Sequence, residues 1–359
     1  MKVLFAVVDG ASPRFVDPHV MPVLHGLAVN GAWCRAGAIG VLPSSTYPNH
    51  ATFVTGVPPT AHGIIANLWP SPGGTVTSWD TGPSAPTLFD SMRVADRPSA
   101  AVFGDDHLVG VTAAAQAGSL WPEGGFAEDT ARDVLGYATD AETVERIVRA
   151  VDQGSELVVA QLNETDTMAH LFGPDSDQAL DHYRLLDGML GRLVDSVRHD
   201  WADWVVIIVS DHSQETVTVS EPIDLRGEAL ARGLTGAVVD DGSMAVLGGE
   251  MAVDAHWTTA VAGVEGFHRA GPDTVFVWAR AGRWFSPAEL PVRGVHGSPR
   301  TSAQVAVVTG GHPGAQGFRT LLSEGRPHAT LWAPAIAGLL GVAAPSDLGP
   351  AVGPEDSPA

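Results

Sequence analysis

The sequence predicts an α/β fold in which a mostly parallel central sheet is flanked by helices on both faces. Short apolar runs recur along the chain with helical patterns between them, and near-continuous runs of this kind are typical of strands buried on both faces. Side chains with metal-binding chemistry follow several of the runs. The predicted strands lie in the runs KVLFAVVDG, SAAVFGD, ELVVAQLNETD, DWVVIIVSDH, DTVFVWAR and AQVAVVTGG.

Two stretches between these runs carry apolar residues at helical spacing. Over residues 141–151 these positions are Val144, Ile147, Val148 and Val151. Over residues 176–198 they are Leu180, Leu185, Leu186, Met189, Leu190, Leu193 and Val197. The chain has 359 residues and 45% hydrophobic content, which is enough for helices and sheet to enclose a large core.

Residues 215–290 interrupt the alternation of strands and helices. This stretch is rich in Gly and Trp, so we predict a small cap inserted into one domain that spans residues 1–345, with at least one strand in the cap. Its aromatic residues either line a pocket or form a small core of their own, and a core is favoured because large aromatic side chains are usually buried. These residues are Trp257, Phe267, Trp278 and Trp284. Residues 346–359 are rich in Pro, Ser and acid and predict a disordered tail.

The charge of the chain argues against nucleic acid as a partner. The sequence has 20 Lys and Arg residues against 41 Asp and Glu residues, which gives a formal net charge of −21. Such a chain repels a phosphate backbone, so no stable binding to nucleic acid is expected. Composition does not indicate an oligomeric state.

The single cysteine, Cys34, excludes an internal disulfide framework and a thiolate metal cluster. Histidine and carboxylates are therefore the available metal ligands.

The first apolar run has only about seven residues before Asp9, which is too short for a secretory signal or a membrane span, and no later run reaches ~18 apolar residues. We therefore expect a cytoplasmic protein without a membrane partner.

Aspartate and histidine residues follow three of the predicted strands. Asp9 follows the first strand, Asp166 and His170 follow the third, and Asp211 and His212 follow the fourth. Each has a simpler interpretation alone, since Asp9 suits a turn before glycine and residues four apart often form a surface pair. The carboxyl ends of parallel strands are where sites gather, however, so their combination predicts a site for divalent metal ions.

The stretch LPSSTYPNHATFVTG, residues 42–56, places three hydroxyls before a predicted helix. Pro48 suits the first helical turn, which puts Thr46 near the helix N-terminus. Free backbone amides and the helix dipole favour an anion there. Ser45 or Thr46 therefore either caps the helix or, in the case of Thr46, acts as a nucleophile.

Five segments, taken in order along residues 1–310, resemble the type I phosphodiesterase/nucleotide pyrophosphatase branch of the alkaline phosphatase superfamily. The segments are VVDGAS, PSSTYPNHATFVTGVPPTAHGIIANLW, NETDTMAHLFGPDS, VSDHSQ and GVHGSP. The resemblance implies an alkaline-phosphatase-like three-layer sandwich and phosphoryl transfer with two divalent ions, expected to be Zn²⁺. It also implies that Thr46 is the nucleophile and forms a phospho-threonine intermediate.

The resemblance further implies a role for each matching residue. One ion would be held by Asp9, Thr46, Asp211 and His212, and the other by Asp166, His170 and a third histidine. For that histidine His296, in RGVHGSP, is preferred to His312, in TGGHPG. Asn67 would hold a nonbridging phosphate oxygen or serve as a turn residue, and Tyr47 would stack on a nucleobase or pack at the helix start. His50 is interpreted as structural or as a residue that supports the metal ligands.

The expected function is metal-dependent hydrolysis of a small phosphate ester, such as a nucleotide, by a phosphodiesterase or nucleotide pyrophosphatase. Two alternatives share the same core, a phosphomonoesterase and a hydrolase of C–P bonds like phosphonoacetate hydrolase. A non-catalytic relative that only binds metal or phosphate is the remaining alternative, and it predicts the loss of one or more ligands.

Overall fold

The computed structural model describes residues 1–71, 73–285 and 292–349, and its strands are numbered here in chain order. The strands of the first half are β1 (Lys2–Val8), β2 (Ala32–Trp33), β3 (Ala38–Ile39), β4 (Leu68–Ser71), β5 (Gly74–Thr77), β6 (Ser99–Phe103), β7 (Ser119–Trp121) and β8 (Leu157–Leu162). Those of the second half are β9 (Trp204–Val209), β10 (Glu215–Thr216), β11 (Ala237–Asp241), β12 (Met244–Gly248), β13 (Val264–Gly271), β14 (Thr274–Ala279), β15 (Gly294–Val295), β16 (Ala303–Gln304) and β17 (Ala306–Thr309).

The helices are also numbered in chain order. Those before residue 150 begin with α1 (Pro22–Asn30), α2 (Thr46–Thr55), α3 (Pro59–His62), α4 (Ser78–Thr81), α5 (Leu88–Val94), α6 (Leu108–Val111) and α7 (Asp140–Asp152). The later ones are α8 (Glu164–Phe172), α9 (Asp177–Ser196), α10 (Leu225–Ala231), α11 (Glu250–Val253), α12 (Phe318–Glu324) and α13 (Trp332–Leu340). Within the described ranges, every helix is too short or too polar to cross a bilayer.

A seven-stranded sheet forms the middle layer, with the order β2–β17–β9–β1–β8–β6–β7. The pairs formed by β1 with β8 and β9, and by β6 with β7 and β8, are parallel. Only β17 pairs in the antiparallel sense, with β9 and β2, among the described strands of this sheet. The predicted mostly parallel sheet is confirmed.

Alternation along β1 explains the two cores that enclose this sheet, because successive side chains of a strand point to opposite faces. Phe5 lies in a core built from α2, α5 and α13, whereas Leu4 lies in a core built from α1, α7 and α9. Helices therefore cover both faces, and the predicted three-layer α/β sandwich is confirmed.

Some local expectations need correction. Leu185 of α9 is 62% exposed and does not share the buried face with Leu186 and Leu190. The run AQVAVVTGG contains two short strands instead of one, since Ala303–Gln304 pairs with β3 and Ala306–Thr309 joins the central sheet. The run DTVFVWAR is a strand, but it lies in a second sheet.

That second sheet is antiparallel, has the order β11–β12–β14–β13, and lies within the predicted cap. It has its own apolar core, which includes Leu247 and Val275, and Trp257 and Phe267 pack against this core. Trp284 is 7% exposed. Residues 286–290 of the predicted cap and residues 350–359 of the predicted tail lie outside the described residues, while Pro345–Asp347 forms a 3-10 turn.

Candidate active site

The three strands that carry the predicted metal ligands are neighbours in the order β9–β1–β8, and all are parallel. Their carboxyl ends therefore lie side by side at one edge of the sheet. Asp9 follows β1, Asp211 follows β9, and Asp166 lies in α8, which begins two residues after β8 ends. The topology brings Asp9 together with residues that lie more than 150 positions from it in the chain, as the pattern of strand ends predicts.

Asp9, Asp211 and His212 form the first group of ligands, and all three side chains are buried. Nε2 of His212 lies 3.5 Å from Oδ1 of Asp9 and 3.3 Å from Oδ2 of Asp211. The other oxygen of Asp211 accepts hydrogen bonds from the backbone N–H groups of Gly10 and His212, at 3.0 Å and 2.9 Å. These bonds fix the carboxylate and leave Oδ2 facing the imidazole.

Thr46 is the first residue of α2, and Oγ1 lies 3.2 Å from Nε2 of His212. Ser45 occupies the N-cap position in an extended conformation, but its side chain makes no capping hydrogen bond. Ser44 and Ser45 are fully buried, whereas Thr46 is partly exposed. Thr46 is therefore the one partly exposed hydroxyl of the three, and it contacts His212 of the first group.

Asp166, His170 and His296 form the second group. Nε2 of His170 lies 3.2 Å from Oδ2 of Asp166, and Nε2 of His296 lies 3.9 Å from Oδ1 of the same carboxylate. The ring of His296 stacks on that of His212 at 3.9 Å, which places the two groups next to each other. His170 is oriented by Nδ1, which donates to the carbonyl oxygen of Gly294 at 2.8 Å.

Two glycines allow the segments that carry Asp9 and His296 to pack closely against α8. A Cβ at Gly294 would lie 2.3 Å from the carbonyl oxygen of Ala169 in α8, which no side chain could tolerate. Gly10 has a φ of +68°, and a Cβ there would lie 2.8 Å from Oδ1 of Asp166. Glycine is therefore required at both positions by the packing of the site.

The structure brings His296 to the site and places His312 elsewhere. His296 follows β15, which pairs with β10 just after the segment that carries His212. The backbone N–H of His312 instead donates to the carbonyl oxygen of Trp204, the first residue of β9. Because Asp211 follows the other end of β9, His312 lies at the opposite edge of the sheet.

Without a cation nearby, the negative charges of these buried carboxylates are energetically unfavourable. Burial, together with the charges of Asp211 and Asp166, raises the pKa of Asp9 well above its ordinary value. Burial also opposes the ionisation of Asp166, but the His170 imidazole beside it holds the pKa of this carboxyl below its usual range. Buried carboxylates this close together need positive charge in order to remain ionised.

Several buried atoms in the two groups have no hydrogen-bond partner among the described residues. They include Oδ1 of Asp9, Oδ2 of Asp211, Nδ1 of His212 and Nδ1 of His296. Ligand atoms of Asp166, His212 and His296 lie within 4.8 Å of one another, as do those of Asp9, His50 and Asp211. Unsatisfied carboxylate oxygens and imidazole nitrogens of this kind fit divalent metal ions with a preference for mixed N and O ligands.

Asn67 and Tyr47 lie beside Thr46. The backbone N–H of Tyr47 donates to Oδ1 of Asn67 at 3.1 Å, so the amide NH₂ of Asn67 is left to face a ligand. Tyr47 is 6% exposed, and its hydroxyl donates to Asp105 at 2.9 Å. This geometry suits packing at the helix start, and a stacking role for Tyr47 stays a prediction.

The sequence prediction missed several residues that support the ligands. Gln161 donates to Oδ2 of Asp9 at 2.8 Å, and Gln214 donates to the carboxylate of Asp166. Nδ1 of His50 lies 2.8 Å from the carbonyl oxygen of Thr46 and 3.6 Å from Oδ2 of Asp211, so this residue lies directly beside the first group. Gln161 could have been noticed as a polar residue within an apolar strand.

The chain matches the family described as type I phosphodiesterase / nucleotide pyrophosphatase over residues 3–262. Among curated proteins, the chain is 25% identical over 259 residues to an ectonucleotide pyrophosphatase/phosphodiesterase of Caenorhabditis elegans, covering 67% of this chain and 29% of that protein. It is 28% identical over 181 residues to an uncharacterized pyrophosphatase/phosphodiesterase of Schizosaccharomyces pombe, covering 47% of this chain and 36% of that protein. The matched regions thus span about a third of these relatives' length.

Solved structures of human and murine ectonucleotide pyrophosphatase/phosphodiesterase 5 share the fold. The human protein superposes with a TM-score of 0.74 at 20% identity, and the match covers 96% of both chains. An inactive variant of the murine protein, in complex with AMP, gives a TM-score of 0.72 at 19% identity over 96% of both chains. The sandwich and its cap therefore have counterparts among known structures.

Proposed function

Because the chain belongs to the type I phosphodiesterase / nucleotide pyrophosphatase family, we propose that it is a metal-dependent hydrolase of phosphodiesters and nucleotide pyrophosphates. One observation carries the proposal: the hydroxyl of Thr46 contacts His212, beside the carboxylates of Asp9 and Asp211. A hydroxyl so close to metal-binding groups, at a helix start, is suited to attack phosphorus.

We further propose that the two groups hold two divalent ions, and that these are Zn²⁺. Asp9, Thr46, Asp211 and His212 would hold one ion, and Asp166, His170 and His296 the other. Mixed imidazole and carboxylate ligands support zinc, although they also accept manganese and iron. When bound, such ions lower the pKa of a coordinated hydroxyl and stabilise both the attacking and the leaving oxygen.

Thr46 would act as the nucleophile. A bond forms between Oγ1 and phosphorus while the bond to the leaving oxygen breaks; the Thr46 hydroxyl releases its proton to solvent, and the leaving oxygen takes up one proton from solvent to become the alcohol. A water molecule then attacks phospho-Thr46 from the vacated side, which breaks the Oγ1–phosphorus bond and restores the hydroxyl. The products are an alcohol and a phosphomonoester, or two compounds that each carry a terminal phosphate group when the substrate is a nucleotide pyrophosphate.

Asn67 would hold a nonbridging oxygen of the substrate through its amide NH₂. The backbone N–H of Tyr47 orients this amide by donating to Oδ1, and residue 48 is a proline without an N–H. The side chain of Asn67 would therefore offer the phosphoryl group a fixed donor beside Thr46. A fixed donor of this kind stabilises the charge that develops on the equatorial oxygens.

A nucleotide is the proposed substrate, and the AMP complex of the inactive murine relative supports this class. The partner is thus a small molecule that carries a phosphoryl group. The cytoplasmic location predicted from the sequence stays a prediction, which fractionation of the native host cells would test.

The test of the proposed reaction is a panel of three substrates at equal concentration. A nitrophenyl phosphodiester should turn over fastest, while a nitrophenyl phosphomonoester and phosphonoacetate should be poor substrates. A dominant rate with the monoester or with phosphonoacetate would replace the proposal with the corresponding alternative. Absence of turnover with all three would favour a protein that only binds metal or phosphate.

Metal analysis tests the proposed ions independently of activity. Protein purified without chelator should contain close to two zinc ions per chain, and chelation should remove both the zinc and the turnover. Added Zn²⁺ should then restore activity. Restoration by manganese or iron, but not by zinc, would contradict the assignment of the metal while leaving the reaction in place.

A further inference from the structure

The hairpin formed by β11 and β12 brings a carboxylate of the cap to the candidate active site. Asp241 is the last residue of β11, and Oδ2 lies 3.4 Å from the hydroxyl of Ser45, the residue before Thr46. The charged groups that act on Asp241 include His170, His212 and Asp166. A residue of the second sheet thus contacts the residue that precedes the proposed nucleophile.

Hydrogen bonds hold this hairpin against the segment of His296. Both the backbone N–H and the hydroxyl of Ser243 donate to the carbonyl oxygen of His296, at 3.0 Å and 2.8 Å. The backbone N–H of Ser298 donates to the hydroxyl of Ser243 at 3.2 Å. Asp241 is therefore fixed in position relative to a proposed metal ligand, as a specificity-determining group must be.

The neighbouring carboxylate faces away from the site. Successive side chains of a strand point to opposite sides, and the charged groups that act on Asp240 are Arg226 and Asp224. Asp241 is partly exposed, whereas Ser45 beside it is buried. Of these two adjacent carboxylates, only Asp241 is placed to act on a substrate at Thr46.

A fixed negative charge beside the phosphoryl site distinguishes substrates by their charge. A phosphodiester carries one negative charge on its nonbridging oxygens, whereas a phosphomonoester carries two at neutral pH and above. Repulsion grows with the charge of the substrate, so a carboxylate at the rim opposes the monoester more strongly. We infer that Asp241 is a specificity-determining residue that favours singly charged phosphodiesters over doubly charged phosphomonoesters.

This inference rests on the proposed hydrolase function, and its test separates the two. Methyl p-nitrophenyl phosphate and p-nitrophenyl phosphate share a leaving group and differ in charge. The quantity to measure is the ratio of their kcat/KM values at about pH 8, where Asp241 is ionised because burial raises its pKa only to about 6. The variants are Asp241→Asn and Asp241→Ser, compared with Asp241→Glu, which retains the charge, and with Asp240→Asn.

In Asp241→Asn and Asp241→Ser the ratio should shift about tenfold toward the monoester, because the discriminating charge is gone. In Asp241→Glu and Asp240→Asn it should stay near the wild-type value. Two metal ions per chain should remain in every variant. If Asp241→Asn does not fold, Asp241→Ser provides the same test.

Two results would overturn the inference. An unchanged ratio in folded Asp241→Asn or Asp241→Ser would show that the carboxylate does not discriminate by charge. Loss of a metal ion from these variants would instead identify Asp241 as a ligand. Failure of the wild-type protein to hydrolyse the diester is a different outcome, since it contradicts the proposed function itself.

Discussion

The hydroxyl of Thr46 lies 3.2 Å from Nε2 of His212, although 166 positions separate the two residues in the chain. The same nitrogen lies close to the carboxylates of Asp9 and Asp211. Thr46 begins α2, whereas Asp9 and Asp211 follow two adjacent parallel strands. The start of a helix and the ends of two strands therefore meet at one partly exposed hydroxyl.

Replacement of Thr46 by alanine should abolish turnover of phosphodiesters. The loss should be on the order of 10³-fold or more in kcat, because the side chain supplies the attacking atom and no neighbouring hydroxyl replaces it. Steady-state assays with a nitrophenyl diester measure this, and mass spectrometry of acid-quenched wild-type protein should detect phosphate on Thr46.

Ser44→Ala is the matched control for Thr46→Ala. The hydroxyl of Ser44 is buried and has no hydrogen-bond partner among the described residues, so its removal should leave both kcat and folding nearly unchanged. Near-normal activity in Thr46→Ala, or an equal loss in Ser44→Ala, would contradict the assignment of the nucleophile.

The ligands that follow β1, β8 and β9 could be predicted because they depend on one regular feature, the shared edge of parallel strands. Apolar runs identify the strands, and Asp9, Asp211 and His212 follow directly in sequence. The choice of His296 depended on the family resemblance. The structure supplies the physical reason, since β10 and β15 pair and bring His296 next to His212.

The supporting residues could not be predicted, because their roles depend on contacts between distant elements. Asp241 reaches Ser45 only after the β11–β12 hairpin packs on the segment of His296. The cap itself was difficult to interpret, since Gly and Trp obscure the alternation of its antiparallel strands. For Tyr47 the sequence left two roles open, stacking on a base and packing at the helix start, and the residue is 6% exposed in the structure.

Asn67→Asp should lower kcat by about 10²-fold, the usual effect of losing one donor to a developing oxyanion. The substitution keeps an oxygen that can accept from the backbone N–H of Tyr47, but it replaces the amide NH₂ by a second, negative oxygen. Thermal stability should therefore change little while catalysis falls. Stability is measured by thermal unfolding and activity with the nitrophenyl diester. A loss of stability without a fall in kcat would indicate that Asn67 is only a turn residue.

Gln214→Met should weaken binding of the second metal ion about 10- to 100-fold. Nε2 of Gln214 donates to the carboxylate of Asp166 and also to the carbonyl oxygen of that residue, at 3.1 Å for the carbonyl. Methionine has a similar length but no donor, so the carboxylate loses the group that orients it. Titration with a chelator of known affinity would measure the change.

Exposed Gln116 offers the control for Gln214. Gln116→Met should leave the affinity for both ions at the wild-type value. Equal metal affinity in Gln214→Met and the wild-type protein would show that Asp166 does not need this donor. A loss of both ions together would point to a general disturbance of the site instead.

Acidification should destabilise the fold through His62, which is fully buried. Nδ1 accepts a hydrogen bond from the backbone N–H of Ile64 at 3.1 Å, and Nε2 lies 3.0 Å from Oγ1 of Thr52. Because Oγ1 donates to the carbonyl oxygen of Pro48, it is free to accept from Nε2–H, so the imidazole is neutral with its proton on Nε2. Protonation of Nδ1 would break the bond to Ile64.

Burial lowers the pKa of His62 from 6.5 to about 4. Between these values the unfolded chain binds a proton that the folded chain does not, so the free energy of unfolding falls as the pH falls through this window. From about pH 7 to about pH 5 the contribution of this one residue is about 2 kcal/mol.

Urea unfolding of wild-type protein and His62→Gln at both pH values measures this contribution. The variant should be less stable than wild-type protein at the higher pH, but its free energy of unfolding should fall by about 2 kcal/mol less on acidification. His19→Gln, at an exposed position, should retain the wild-type dependence. Parallel losses in wild-type protein and His62→Gln would assign the acid sensitivity to other groups.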